Sequence, residues 1–295
     1  MATTRGAFAQ LIAPGLMDIA FERLKEHAEE YSQFLVVETS DSAYDEEQVM
    51  GGLGLARLKL EGEGLTYDDP IQGGTKRWLH DTYALGWQIT REMIEDEKYG
   101  IMRKMPGELM KSCRQTWEQL GANALNLSAS TITTADGVSL LNTAHPLLGG
   151  GTYSNRLSPD ADFSVTALQD ILIMYENMVN ERGLKMQLSP TNLWIPPELQ
   201  FTVAKVLQST FEPGTGNNDV NTVQGRLAPA VLHFLTDTNN WFVSSKDENT
   251  VKFKWRRKPS MDSTDDFETK GTKHSITFRC SVGALDWRGW AGSRP

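Results

Sequence analysis

The chain has 295 residues, a formal net charge of -9 and 39% hydrophobic residues, which is enough for a sizeable folded core. The acidic balance excludes a general nucleic-acid binder, because such a protein needs a basic surface to displace phosphate counterions. Cys113 and Cys280 form no Cys-x-x-Cys pair and the histidines are scattered, so neither a disulfide framework nor a zinc site is predicted. We therefore expect a reduced cytosolic environment. We also expect no metal, no cofactor and no membrane span.

The first third of the chain predicts a loosely packed arm followed by a β-ribbon. Residues 5–31 suggest a helix with little core of its own, which would lie along another surface. Residues 51–60 predict a bulged strand, and 79–89 predict a second strand with a period of two. The Gly- and Asp-rich stretch 61–76 between them is too long for a tight turn. A two-stranded ribbon is marginal in isolation, so we expect it to need a partner surface.

A long amphipathic helix is predicted to follow the ribbon. Thr90 is placed to cap a short helix, and Pro106 begins a longer one that runs to about Asn126. Side chains at three- and four-residue steps form one apolar stripe on it: Met110, Cys113, Trp117, Leu120 and Ala124. A stripe of this kind is typical of a packed core, and we interpret the helix as a packing spine.

From about residue 140, helices and strands alternate. Ser164 caps a helix that we predict ends at Gly183. The elements that follow are predicted, in order, at 193–197, 198–211, 231–235, 241–243, 251–255 and 274–282. The fold class is therefore α+β, with an arm, a long ribbon, a spine helix, a compact α/β insert and closing strands.

One segment carries an enzyme-like pattern. In NTAHPLLGGGTYSN at 142–155, His145 offers a general base and Gly149–Gly151 offer backbone N–H groups to an anion. No P-loop, no Gly-x-Ser-x-Gly elbow and no recognisable cysteine nucleophile accompany it. We interpret His145 as a residue that orders a loop, and a hydrolase site is the alternative.

Charge is unevenly distributed along the chain. Residues 22–69 carry thirteen acidic and four basic side chains, a balance of -9 that equals the charge of the whole chain. The two interpretations are a solvated acidic surface and a segment that docks on a basic partner. The run KFKWRRK would place four basic side chains on one strand face, which fits a docking surface, a nucleic-acid contact or an ordinary exposed face: Lys252, Lys254, Arg256 and Lys258.

Four segments resemble, in their joint order, the major head proteins of tailed bacteriophages: SAYDEEQVMGGLGL, YDDPIQGGTKRWLHDTYALGWQITREMIEDEKYG, LNTAHPLLGGGTYSN and FRCSVGALDWRGW. They are similar to the Mu-like head-subunit group and related siphophage families, from about residue 40 to the end. The resemblance implies the Hong Kong 97-type capsid fold. It implies a non-enzymatic major capsid protein that self-assembles as hexamers and pentamers into an icosahedral shell around the genome. A tail or neck structural protein is a further alternative.

The resemblance also implies a division of the chain and a set of partners. The regions would be an N-terminal arm at 1–50, an extended loop at 51–90, a peripheral domain with the spine helix at 91–139 and 251–295, and an axial domain at 140–250. Assembly in the host cytoplasm is expected, with portal and decoration proteins as partners and packaged DNA only nearby. Many relatives carry a scaffolding segment before the arm. None precedes the arm here, so we expect a separate scaffold protein or none.

Contacts between neighbouring subunits are expected at charged residues of the ribbon and of the basic strand. The acidic first quarter would latch onto the basic strand of the next subunit. Some relatives also cross-link covalently from a lysine of the extended loop, where Lys76 stands, but no asparagine partner is identified here. The residues expected at these contacts are Glu46, Glu47, Asp68, Asp69, Lys76, Arg77, Lys252, Lys254, Arg256 and Lys258.

Overall fold

The computed structural model describes residues 28–90, 92–93, 96, 104–212, 219–266, 268 and 271–295. The helices are α1 (Tyr31–Phe34), α2 (Met105–Asn126), α3 (Val165–Glu176) and α4 (Gln200–Gln208), with a 3-10 turn at Pro197–Leu199. The strands are β1 (Val36–Thr39), β2 (Tyr44–Gly51), β3 (Ile71–Leu79), β4 (Asp81–Ile89), β5 (His145–Pro146), β6 (Thr152–Tyr153), β7 (Asn192–Ile195), β8 (Ala228–Val231), β9 (Trp241–Ser244), β10 (Val251–Asp265), β11 (Thr272–Ala284) and β12 (Trp290–Ser293). The fold is mixed helix and strand, as predicted. Of the helices described, none combines the length and the apolar character that a bilayer crossing requires.

The described residues group into two units. The first takes in the described residues of 28–44, 79–121 and 253–281, and the second takes in those of 45–78, 122–252 and 282–295. A four-stranded sheet in the order β1-β10-β11-β4 forms the base of the first unit. A second four-stranded sheet, in the order β12-β9-β7-β8, lies in the second unit, which also contains the ribbon β2-β3 and the small hairpin β5-β6.

Helix α2 supplies the core of the first unit, as its sequence periodicity predicts. Met110, Cys113 and Trp117 are buried to 2% exposure or less. The indole of Trp117 meets the rings of Trp255 and Phe278 edge-on, with centroid distances of 5.8 and 5.5 Å. Edge-to-face contacts are a preferred arrangement of aromatic rings, so this cluster couples the helix to β10 and β11.

A buried carboxylate on α2 fixes the chain just before α1. Glu118 Oε2 accepts hydrogen bonds from the backbone N–H groups of Glu30 at 3.1 Å and Tyr31 at 3.0 Å. One turn earlier on the helix, Arg114 donates to the carbonyl of Ala28 at 2.8 Å. Burial raises the pKa of Glu118, while the two N–H groups and Arg114 act in the opposite direction. Two side chains on one helix face therefore hold the first described residues of the chain.

Strand β4 is present as the alternation over 79–89 predicts, but its partner is not the predicted one. It pairs antiparallel with β11, which places Tyr83 opposite Phe278 and Trp87 opposite His274. Both pairs stack, each with ring centroids 5.3 Å apart. The long strand predicted at 274–282 thus forms a sheet with β4, and the ribbon is built from other residues.

The ribbon consists of β2 and β3, and residues 52–70 between them form no regular structure. The predicted strand at 51–60 is therefore wrong. Its alternating leucines are exposed, with Leu55 at 78% and Leu58 at 88%. Alternation produces a strand only where a neighbouring strand satisfies the backbone and one face is covered. Nothing in the described part of the chain covers these leucines. We call residues 52–70 the extended loop below.

The second unit is built around β7, whose apolar residues were predicted to be buried. Strand β7 pairs parallel with β8 and antiparallel with β9, and Trp194 donates from Nε1 to Ser244 Oγ at 2.8 Å. Ser164 caps α3 as predicted, because its Oγ accepts from the backbone N–H of Ala167 at 3.1 Å. The helix ends at Glu176, so the predicted end at Gly183 is wrong. Gly183 instead takes a positive φ of 78° in a later turn.

Two predicted helices fall largely outside the described residues. Most of the helix predicted over 5–31 lies outside the described residues, as does much of the short helix predicted after Thr90. Within the described part, the Thr90 side chain accepts from the backbone N–H of Met93 at 3.4 Å, which is the geometry expected of a cap.

Candidate functional site

His145 lies fully buried in the second unit, with both ring nitrogens engaged by side chains of the same chain. Nδ1 is 2.7 Å from Asp136 Oδ2, and Nε2 is 3.1 Å from Asn155 Oδ1. The imidazole stacks on the ring of Trp287 at 4.5 Å between centroids. Burial acts to raise the pKa of Asp136, but hydrogen bonds from His145, Thr134 and a backbone N–H lower it below its usual value.

The partners of His145 decide what its nitrogens do. Asn155 Nδ2 donates to the carbonyls of Leu140 at 2.7 Å and Trp290 at 3.1 Å, which fixes the amide so that Oδ1 faces the imidazole. Asp136 and Asn155 thus occupy both ring nitrogens, and the imidazole has no surface exposed to solvent. His145 is therefore arranged as a structural tie and not as a general base.

The glycine run beside His145 is also used internally. The N–H of Gly149 donates to the carbonyl of Glu181 at 2.8 Å, and the N–H of Gly150 donates to the carbonyl of Leu147 at 2.9 Å. Two of the three N–H groups in the run are thus aimed at carbonyls of the chain and not at an anion. The geometry argues against the hydrolase alternative.

A cavity of 210 Å³ next to Asp136 is lined by three carboxylates. Besides Asp136, these are Glu181 and Asp286, which lie 2.8 and 2.9 Å from the buried guanidinium of Arg288. In the described part of the chain, no group of three or more His, Cys, Asp and Glu side chains is placed to hold a metal ion. Glu181 and Asp286 pair with Arg288, and Asp136 hydrogen-bonds to His145, so all three carboxylates already have partners in the same chain.

The two cysteines are free thiols buried in the first unit. Burial raises the pKa of Cys113 to about 11 and that of Cys280 to about 12. The thiolate is the reactive form of cysteine, so neither residue has the environment of a nucleophile.

The basic strand face is present on β10, but much of it is paired within the chain. Lys252 lies 2.8 Å from Glu47, and Lys254 lies 3.4 Å from Glu38. Lys254 is buried, with 4% of its surface exposed, which contradicts the prediction that it lies on an accessible docking face. The predicted complementarity between the acidic first quarter and the basic strand exists, and here it joins segments of one chain. Further along the strand, Arg256 is 4.0 Å from the fully exposed Asp41, and Lys258 is exposed.

The charged residues of the ribbon also find partners in their own chain. Arg77 on β3 contacts Glu46 on β2 at 2.5 Å. Lys76 donates from Nζ to the carbonyl of Thr133, and burial lowers the pKa of this lysine. Lys76 is thus engaged inside its own chain. Asp69 remains exposed at the end of the extended loop.

Arg182, which the sequence reasoning did not single out, holds the base of the extended loop. Its Nε donates to the carbonyl of Gly52 at 2.7 Å, and its Nη1 lies 3.1 Å from Asp68 Oδ2. Asp68, which was predicted to contact a neighbouring subunit, is thus engaged inside the chain. No local pattern links residues more than a hundred positions apart, so this contact had no signal in the sequence.

The extended loop itself carries a dense set of exposed apolar side chains. Each of the following has more than half of its surface exposed: Leu53, Leu55, Leu58, Leu60, Leu65 and Tyr67. A concentration of large exposed apolar side chains on one segment marks a candidate interaction surface. This loop, and not the histidine segment, is the candidate functional site.

Comparisons with solved structures match this fold to phage capsids. The capsid of the cyanophage P-SCSP1u is 14% identical, with a TM-score of 0.59 over 90% of this chain and 87% of that chain. A structure from Microbacterium phage Oxtober96 is 8% identical, with a TM-score of 0.57 over 91% of each chain. The procapsid of bacteriophage JBD30 is 16% identical, with a TM-score of 0.53 over 98% of this chain and 75% of that chain. Identities this low show a shared fold.

The family comparison reaches further than the fold. The family described as phage capsid protein matches residues 75–293, well over half of the chain. No curated protein matches the chain. The matched region contains α2, three strands of the first four-stranded sheet, all of the second sheet and the His145 segment. The chain therefore belongs to the phage capsid protein family and is a major capsid protein that forms the shell of the virion.

Proposed function

We propose that this capsid protein forms hexamers and pentamers of an icosahedral head shell with the Hong Kong 97-type fold, within the Mu-like head-subunit group. Support comes from the order of the four resembling segments and from the similarity to capsid and procapsid structures. Its work is structural and not enzymatic. Assembly takes place in the host cytoplasm. Portal and decoration proteins join the shell, and the genome lies nearby without specific contacts.

Within this shell, the parts of the chain have separate roles. Residues 1–50 form the N-terminal arm and 51–90 form the region that reaches out to other subunits. Helix α2 with β10 and β11 supports a peripheral domain at 91–139 and 251–295, although residues 122–139 and 282–295 group with the second unit. Strands β7, β8 and β9 support an axial domain at 140–250.

The observation that carries the proposal is the exposure of the extended loop. Six large apolar side chains on 52–70 are more than half exposed, and Leu58 and Tyr67 reach 88%. Burying one such side chain contributes about 1.5–3 kcal/mol, so covering all six would strongly favour association with another surface. Another copy of the chain would cover them, which makes this loop the main inter-subunit contact.

Charged contacts between subunits have a smaller part in this proposal than the sequence suggested. Asp69 and Lys258 are exposed and remain available to a neighbour. An exposed ion pair contributes only about 0–1 kcal/mol, and salt screens it. Such pairs bias register and encounter, while the apolar loop supplies the stability of the contact.

The test is to replace Leu55 and Leu58 together with serine. The subunit should fold as the wild type does, because no described residue covers either side chain, and shells should fail to form. Circular dichroism and thermal unfolding check the fold, and electron microscopy with sedimentation checks assembly.

The matched control changes two polar residues of the same loop, Lys59 and Glu61, to serine. This variant should assemble normally. Normal shells from the leucine variant would refute the proposed role of the loop. Loss of assembly in both variants would mean that the contact does not depend on the apolar side chains in particular, which contradicts the proposal.

A further inference from the structure

We propose that Arg182 is a positioning residue for assembly: its guanidinium clamps both ends of the extended loop and sets the direction in which the loop leaves the subunit. The inference rests on the proposed function of that loop as the inter-subunit contact. It goes further by assigning the control of the loop to one side chain, more than a hundred residues away in sequence.

The clamp uses every nitrogen of the guanidinium. On the outgoing end, Nε donates to the carbonyl of Gly52 at 2.7 Å. On the returning end, Nη1 lies 3.1 Å from Asp68 Oδ2, and Nη2 donates to the carbonyl of Asp69. One planar group therefore bridges the two points where the loop joins β2 and β3. A side chain that contacted only one end would leave the loop free to swing about the other.

A second bond closes the neck of the loop directly. Asp68 Oδ2 also accepts from the backbone N–H of Gly54 at 2.7 Å. That N–H lowers the pKa of Asp68 below its usual value, and the charge of Arg182 acts in the same direction. Gly54 allows the close approach, since a Cβ there would lie 3.1 Å from Asp68 Oδ2 and 3.5 Å from Arg182 Nη1. Carboxylate, glycine and guanidinium thus form one compact joint.

The base on which Arg182 stands is rigid. Its backbone N–H donates to Asn180 Oδ1 at 2.9 Å, inside a turn closed by a bridge between Val179 and Lys185. The preceding residue, Glu181, is buried and lies 2.8 Å from Arg288 Nη1. The guanidinium is therefore presented from a fixed point of the second unit, which is what a clamp requires.

Lysine cannot replace arginine at this position. The three contacts lie in different directions around a planar group, and an ammonium on a flexible stem is a single point of charge. Arg182→Lys should keep the attraction to Asp68 and lose the simultaneous grip on Gly52 and Asp69. The conservative variant thus separates clamping from simple charge pairing.

The experiment measures the loop before and after assembly. In unassembled full-length subunits, amide hydrogen exchange at Gly54 and neighbouring loop amides should be at least about tenfold faster in Arg182→Ala than in wild type. In that variant the loop can open without breaking the charged hydrogen bonds that Arg182 makes. Arg182→Lys should fall between Ala and wild type, and Asp68→Asn should also speed exchange at Gly54. Thermal unfolding should stay close to that of wild type. Arg226→Ala, which changes an exposed arginine of the same unit, should alter nothing.

Assembly then reports on positioning. Arg182→Ala should give few shells or misshapen ones, and Arg182→Lys should give partial recovery. Unchanged exchange in Arg182→Ala would overturn the clamp. Faster exchange with normal shells would overturn its role in positioning. Unchanged exchange in the free Asp68→Asn subunit, together with lost assembly, would place Asp68 between subunits and also overturn the clamp. If the Leu55 and Leu58 double variant assembles normally, the proposed loop contact fails, whereas the exchange result for Arg182 stands by itself.

Discussion

Replacement of Trp117 with alanine should strongly destabilise the first unit. Trp117 is 2% exposed and lies at the centre of the α2 core. Its indole meets Trp255 and Phe278 edge-on, at 5.8 and 5.5 Å between centroids. Alanine would remove the ring from both contacts and leave a cavity between the helix and the sheet.

The size of the effect follows from burial and from the lost volume. Truncating a buried tryptophan to alanine costs about 3–5 kcal/mol, because the transfer energy of the ring and the cavity both count. Each aromatic pair accounts for about 0.5–1.5 kcal/mol of that. Since domains are typically stable by about 5–15 kcal/mol, the variant should lie close to the limit of folding.

Urea unfolding followed by far-ultraviolet circular dichroism measures this effect without relying on the removed chromophore. Trp117→Phe, which keeps an aromatic ring in the cluster, should lose much less stability. Lys111→Ala, on the same helix with 64% of the side chain exposed, should stay within about 0.5 kcal/mol of wild type. A Trp117→Ala protein that unfolds within about 1 kcal/mol of wild type would refute the core described for α2.

Three further predictions concern side chains that make polar or charged contacts inside the chain. His145→Ala should abolish no hydrolase activity, and urea unfolding should show a loss of at least about 3 kcal/mol, because two hydrogen bonds to polar or charged partners disappear. Lys254→Glu should destabilise the subunit itself by about 3–5 kcal/mol, since it places a second carboxylate beside Glu38; a normally stable variant would contradict the buried pair. The pKa of Asp136 is lowered on folding, so its contribution is full above the unfolded value of about 3.9 and is lost as pH falls through the folded value. Asp136→Asn should therefore flatten the fall in melting temperature below about pH 4, and an unchanged slope would contradict this.

The elements predicted correctly are those whose local pattern matches their burial. The α2 stripe, the buried strand β7 and the Ser164 cap each depend on residues within a few positions of one another. In such segments the periodicity of the sequence and the environment in the fold agree, so either one predicts the other.

The strand pairing of the ribbon could not be predicted from the local sequence pattern. The leucines of 51–60 alternate as in a strand, but their side chains are exposed. The strand that pairs with β3 to form the ribbon is β2. The described part of the chain supplies no surface that covers this alternation, and under the proposed function the pattern reflects assembly and not local structure. Strand β4 was predicted at the correct residues, but its partner was not. The partner, β11, lies almost two hundred residues away in sequence and cannot be identified by spacing.

The contacts of the candidate site were also difficult to predict, because they join residues that are distant in sequence. The charge balance predicted a latch between neighbouring subunits, and in the structure Glu47 pairs with Lys252 and Glu38 with Lys254 within one chain. The complementarity of charge is the same in both cases, so the sequence alone does not distinguish them. The clamp of Arg182 had no signal at all, since a single arginine in a turn has many possible partners.

Electron microscopy of particles formed when the chain is expressed with the head-assembly proteins of its phage tests the central claim most directly. Closed icosahedral shells are expected, in which this chain occupies the hexamers and pentamers and residues 52–70 lie against a neighbouring copy. Particles in which the chain forms tubes or open rings, or shells from which it is missing, would contradict its assignment as the major capsid protein.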